Sequence, residues 1–192
     1  HKRLRRQRQM CIRDRVTRNK YSLAVSASKT LLRERKKSPE GNDLIGLFYR
    51  DLQRSGKCHA LANKQRKARS FFIKAFKKSN GCIACALEGI TLMPNDSKLA
   101  SLFMQALTNA GPVTKSGQTF IFQPDKLPAV NVMEAITALD LAIYQNNPAA
   151  EQLKKRYSNQ IGAIERGEMA ANQKLQNALD SLKPKHDYYE YS

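Results

Sequence analysis

Residues 16–81 carry 17 lysines and arginines against four acidic residues, a net charge of +13, whereas residues 82–192 carry 10 against 11 and are close to neutral. A fold must turn the first set outward, because a buried charge left without a partner costs about several kcal/mol. The same stretch is not a solvated tail. Hydrophobic residues make up 41% of the chain and glycine and proline are scarce, so there is enough apolar surface to offset chain entropy. The expectation is therefore a mainly α fold with a small β-hairpin (α+β), a compact helical domain with a long C-terminal helix, displaying a polycation on its surface.

The periodicity supplies the elements. Leu23, Ala27, Leu31 and Leu32 fall near helical spacing over residues 22–35 and predict a helix, although Tyr21 to Val25 suit a strand equally. Asp43 is placed to cap a short amphipathic helix with a Leu44, Ile45, Phe48 and Leu52 stripe, and Ser55-Gly56 reads as its end. From Cys58 to Lys78 one helix is predicted, with Leu61, Gln65, Ala68, Phe72, Ala75 and Phe76 on one face and cations on the other, stopped at Asn80-Gly81. The continuously apolar Cys82–Leu87 and the segment Gly89–Met93 include one or two candidate buried strands, their type being left open by the pattern. Asp96 offers a cap for a helix through Leu99, Leu102, Phe103, Ala106 and Leu107, and residues 113–122 read as a hairpin turning at Gly117. Residues 126–146 are apolar nearly all round and predict a central helix. Asn147-Pro148 then starts a long helix to about Lys183, with a heptad-like seam through Tyr157, Ile161, Ile164, Glu168, Ala171, Leu175, Leu179 and Leu182 and a break expected near Gly162 and Gly167.

Four segments follow from this: residues 1–15, a basic helical domain over 16–146, the long helix over 147–183, and a mobile tail over 184–192. The run Arg5 to Arg15 resembles the in-frame translation of a sequencing-library adapter, which sets residues 1–15 apart as non-native and points to a bacterial source in an environmental library. Without those 15 residues the net charge is still +12. No apolar run approaches the roughly 18 residues of a membrane span, and no apolar region follows the basic start as in a secretory signal. Of the four cysteines, Cys58, Cys82 and Cys85 lie outside residues 1–15, and this odd number reads as reduced thiols in a cytoplasmic protein.

The charge pattern selects the partner. Arg33, Arg35, Lys36, Lys37, Lys64, Arg66, Lys67, Arg69, Lys74, Lys77 and Lys78 are the candidate contacts to a phosphate backbone, with DNA preferred to RNA because helices fit a major groove. Few side chains that read base edges accompany them, so sequence-independent contact is expected. Residues 44–62, with Gly56 as the turn, faintly permit a helix-turn-helix that would send the Cys58–Lys78 helix into the groove. Phe71 is the aromatic residue free to stack on a base, whereas Phe72 and Phe76 lie on the core stripe. The alternative is an interaction module in which the C-terminal helix forms a homodimer or docks a partner helix and the cations only solubilise.

Other chemistry has less support. Cys58, His59, Cys82 and Cys85 have the ligand count for zinc, but the intervening residues are apolar and the only second close pair is the adjacent Cys58-His59, so buried thiols are preferred and no metal or other cofactor is expected. Redox use of the Cys82-Ile83-Ala84-Cys85 pair would need a helix N-terminus or cations beside it. No nucleophile motif or phosphate-cradling glycine loop is present, so no enzyme is expected.

Overall fold

The structure, a computed structural model, describes residues 2–37, 45–122 and 127–181. Asp43, Leu44, Leu182 and the tail from residue 184 lie outside the described residues, as do the side chains of Ile45 and Lys37. The architecture is mainly helical with a small antiparallel sheet. Helices α1 (Lys2–Thr17), α2 (Tyr21–Lys37), α3 (Ile45–Leu61), α4 (Gln65–Lys78), α5 (Ile83–Leu92) and α6 (Ser97–Thr108) come first. Strands β1 (Val113–Ser116), β2 (Thr119–Phe122) and β3 (Val130–Asn131) follow, then α7 (Val132–Ala138), a 3-10 turn at Ala142–Tyr144, and α8 (Pro148–Ser181).

Helix α1 packs on α2 through Ile12, which is buried with Ala24, Val25, Leu31 and Cys58, and Arg8 pairs with Glu34. The segment set apart by its sequence thus occupies a helical position against the second and third helices.

Between α3 and α4 the structure corrects the sequence reading. Helix α3 runs through Gly56 to Leu61, and the chain reverses at Ala62-Asn63-Lys64. Asn63 has φ 55°, and the Lys64 amide donates to the His59 carbonyl at 2.8 Å, a left-handed helix stop made by asparagine. The predicted helix over 58–78 is thus two helices. Gly56 is not a turn: a Cβ there would meet three ring atoms of Phe72 at 3.2 Å, and one on Gly89 of α5 would meet Phe72 Cγ at 3.3 Å. The two glycines let α3 and α5 close on the Phe72 ring, and no helix-turn-helix is built on Gly56.

Two further assignments change. The apolar run from Cys82 is one buried helix, α5, and not strands; a short apolar segment has no polar face from which its period can be read. The predicted helix over 126–146 splits into β3, α7 and the 3-10 turn. Asn131 pairs opposite Ile121 and its side chain accepts the Met133 amide at 2.8 Å, so an N-cap falls where the apolar pattern showed no interruption.

The hairpin and the remaining helices form as expected. Val113 pairs with Phe122 and Ser116 with Thr119, with Gly117 at φ 59° in the turn. Asp96 caps α6 through the Lys98 and Leu99 amides, both at 3.1 Å, and Asn147 caps α8. Helix α8 continues through Gly162 and Gly167 without the expected break. Its first turns join the main core, where Tyr157 meets Phe122 edge-on at 4.8 Å and donates to the Leu107 carbonyl. Beyond Ile164 the helix is exposed on all sides, Met169, Leu175 and Leu179 included.

Candidate nucleic-acid interface

Helix α2 carries Lys29, Arg33 and Lys36 at spacings of four and three, which puts all three on one face. Helix α4 carries Lys74, Lys77 and Lys78 in its last two turns. These six exposed cations line a groove of about 890 Å³ whose floor is Leu32, Phe48, Leu52 and Phe71. The floor is the top of a small core shared with Tyr49, Ala75, Cys82 and Cys85.

Among the described residues no carboxylate lies within 4 Å of any of the six charged groups. Lys74 instead sits 5.9 Å from the centre of the Phe71 ring. Beneath the surface the ring of His59 lies 4.9 Å from that of Phe71. His59 is buried and its Nδ1 bonds the Ser55 carbonyl at 2.7 Å, while Nε2 has no partner among the described residues. Burial holds the imidazole below its ordinary proton affinity, and the charges of Lys29, Lys64 and Lys67 push in the same direction. Those three lysines therefore share one electrostatic neighbourhood.

The eleven cations read from the sequence divide into four groups. Arg33, Lys36, Lys74, Lys77 and Lys78 meet at the groove. Lys64, Arg66 and Lys67 are exposed together at the start of α4, where the first turn holds no acidic residue. That end of the helix is already positive, so their mutual repulsion adds to an unfavourable dipole term. Arg35 and Arg69 are already paired with carboxylates, Arg35 buried and Arg69 partly exposed. Arg35 is 3% exposed and its Nε pairs with Asp51, which also holds Arg54 at 2.9 Å; Arg69 pairs with the capping carboxylate of Asp96. The side chain of Lys37 lies outside the described residues.

Lys29 was missed although its spacing to Arg33 and Lys36 was readable. Phe48 was assigned to a buried stripe, yet it is half-buried and lines the groove. Phe71 is half-buried on the floor, and Phe72 and Phe76 are core residues as expected.

The four candidate zinc ligands do not meet. Cys58 packs with Ile12, Ala24, Val25 and Leu31, whereas Cys82 and Cys85 belong to the core under the groove. Among the described residues no group of three or more histidine, cysteine or acidic side chains is arranged to hold a metal. No helix among them is long and apolar enough to cross a membrane. No protein-family model, curated protein or solved structure matches this chain.

Proposed function

We propose that this protein binds nucleic acid, DNA in the first instance, by seating the phosphate backbone along the rim of the α2–α4 groove. The observation that carries the reading is the ring of six exposed cations, Lys29, Arg33, Lys36, Lys74, Lys77 and Lys78, set around an apolar floor without a carboxylate partner among the described residues. Like charges gathered this closely repel, and a polyanion relieves the repulsion while releasing its own counterions. Lys64, Arg66 and Lys67 extend the positive side past His59. The half-buried rings of Phe48 and Phe71 give the floor a surface on which an unpaired base can stack, which favours single-stranded over duplex DNA. Among the described residues no asparagine, glutamine or carboxylate lines the rim to read base edges, so low sequence specificity is expected.

Mobility shifts with single-stranded and duplex oligonucleotides at two salt concentrations test this. Substituting Arg33, Lys36, Lys74 and Lys78 together by Gln should flatten the dependence of log affinity on log salt by about 0.7 to 0.9 for each phosphate that is no longer neutralised. An unchanged slope with intact folding overturns the assignment of the groove.

A second reading has one observation of its own. Leu175 and Leu179 are 61% and 50% exposed, one helical turn apart on the free half of α8. That pair suits a partner helix, either in a homodimer or from another chain. A concentration-dependent oligomer in sedimentation equilibrium, abolished by Leu175→Ala with Leu179→Ala, supports it.

A further inference from the structure

The α5–α7 side of the molecule carries a second groove, of about 1050 Å³, which shares no residue with the cationic one. Leu87 and Leu92 of α5, Ile121 of β2 and Leu141 are half-buried along it, and Met133 of α7 lines it with half of its surface exposed. Its charged residues are Lys57, Glu88 and Glu134. Glu88 is held by Lys57 at 3.2 Å and by Gln53 at 2.6 Å, whereas Glu134 forms no ion pair among the described residues. The chain is strongly basic, yet the charge left unanswered at this groove is negative.

Helix α8 has the complementary character. Its residues 165–181 extend for about 25 Å at 1.5 Å per residue and are exposed on all sides. Lys115 pairs with Glu168 near their start. A helical segment of that length is marginal in water without tertiary support. Leu175 and Leu179 form an apolar stripe with Ala171 and Ala178 beside it, and Lys174 flanks the stripe. We propose that the free half of α8 docks in the α5–α7 groove of a second copy of this chain, with Leu175 and Leu179 on the apolar floor and Lys174 opposite Glu134. The inference rests on the reading of α8 as a docking helix and on no part of the nucleic-acid reading.

The occupant comes from a second copy because α8 does not reach the groove of its own molecule. Leu153 and Tyr157 fix its first turns in the main core, the helix runs unbroken through Gly162 and Gly167, and no residue of α8 lines the groove. A second α8 is the poorer partner. Glu168 interrupts the seam, so two leucines one turn apart are less than one heptad of large apolar contact, where a coiled coil sustains about three or four. The groove supplies the missing surface, as in other helix-in-groove contacts. Its wall α5 is ten residues or about 15 Å long, the span of the three helical turns centred on Leu175 and Leu179. Each copy holds one groove and one free helix, so a two-fold dimer makes the contact twice.

Sedimentation equilibrium of the full chain should show a concentration-dependent dimer. Thr137 is exposed and lines the groove, so Thr137→Trp places a large ring across it and should weaken association at least about tenfold, as should Leu175→Ala with Leu179→Ala. Glu134→Lys should weaken it about threefold to tenfold at low salt, and adding Lys174→Glu to the same chain should restore it, which a folding defect would not allow. In a Cys11→Ser background, Met133→Cys chains mixed with Ala178→Cys chains should give a disulfide-linked heterodimer under mild oxidation. A dimer lost in the leucine variant but untouched by Thr137→Trp, or Ala178→Cys chains that link to each other in preference to Met133→Cys chains, overturns the groove and leaves α8 as a docking helix. A monomer at every concentration removes both.

Discussion

His59 shows how much of a residue's behaviour is set by neighbours that the sequence does not put beside it. Next to Cys58 it reads as a potential ligand; in the fold it is a neutral spacer between Ser55 and Phe71. The reason is physical, since Nε2 points into a region with no acceptor and three lysines lie nearby. Because its folded proton affinity is lowered, the unfolded chain binds a proton below about pH 6.5 that the native state refuses. Stability is therefore fully present above that pH and is lost as pH falls. Denaturant midpoints between pH 7 and pH 5 should drop with a slope of up to about 1.4 kcal/mol per pH unit from this group. His59→Leu should remove that part of the slope; an equal slope in the variant would place the effect elsewhere. Arg35 gives the same lesson in charge. Its sequence neighbours Arg33 and Lys36 are at the surface, yet Asp51, sixteen residues away, draws it inside. Nothing local distinguishes it from them.

At the scale of elements, what was legible follows the strength of the local signal. Helix α6, the start of α8 and the β1–β2 hairpin carry both a clear period and a stop or cap, and they stand where the pattern puts them. Where one residue type serves two ends, the reading failed. Glycine is the commonest left-handed stop, so Gly56 was read as one, while the actual stop at Asn63 uses the next-best residue. Gly56 supplies space for a ring and not freedom for the backbone, in the sense that its missing Cβ is where Phe72 lies. Gly56→Ala would ordinarily favour a helix by about 1 kcal/mol. Here the Phe72 ring is 1% exposed and closely approached by Gly89 as well, so it has no room to retreat. Overpacking costs about 1–3 kcal/mol and outweighs the gain, so the variant should melt lower. Pairing it with Phe72→Leu should recover part of the loss relative to the sum of the two single changes, and strict additivity in thermal melts would mean that the two do not press on one another.

At the scale of the molecule, the lopsided charge was readable from the sequence, but its disposition was not. Periodicity places cations on a helix face; only the packing of α2 against α3 and of α3 against α4 decides that the faces of α2 and α4 meet over a common floor. That juxtaposition has a cost in the free protein. Six cations without carboxylate partners among the described residues lie around one groove, and each like-charge neighbour pair costs about 0.2–0.5 kcal/mol at low ionic strength. Several such pairs amount to about 1–2 kcal/mol, which for a chain of this size is about 2–8 °C in melting temperature. The Debye length falls from about 10 Å at 0.1 M salt to about 3 Å at 1 M, so added sodium chloride should stabilise the wild-type protein by removing the repulsion. The variant with Gln at Arg33, Lys36, Lys74 and Lys78 lacks most of these charges. It should therefore melt higher than wild type at low salt and gain less from added salt, so that the two curves converge. Non-specific salt effects act on both proteins and cancel in the comparison. Curves that stay parallel across the range would show that the groove cations do not repel one another, and would remove the electrostatic reason for a polyanion to settle there.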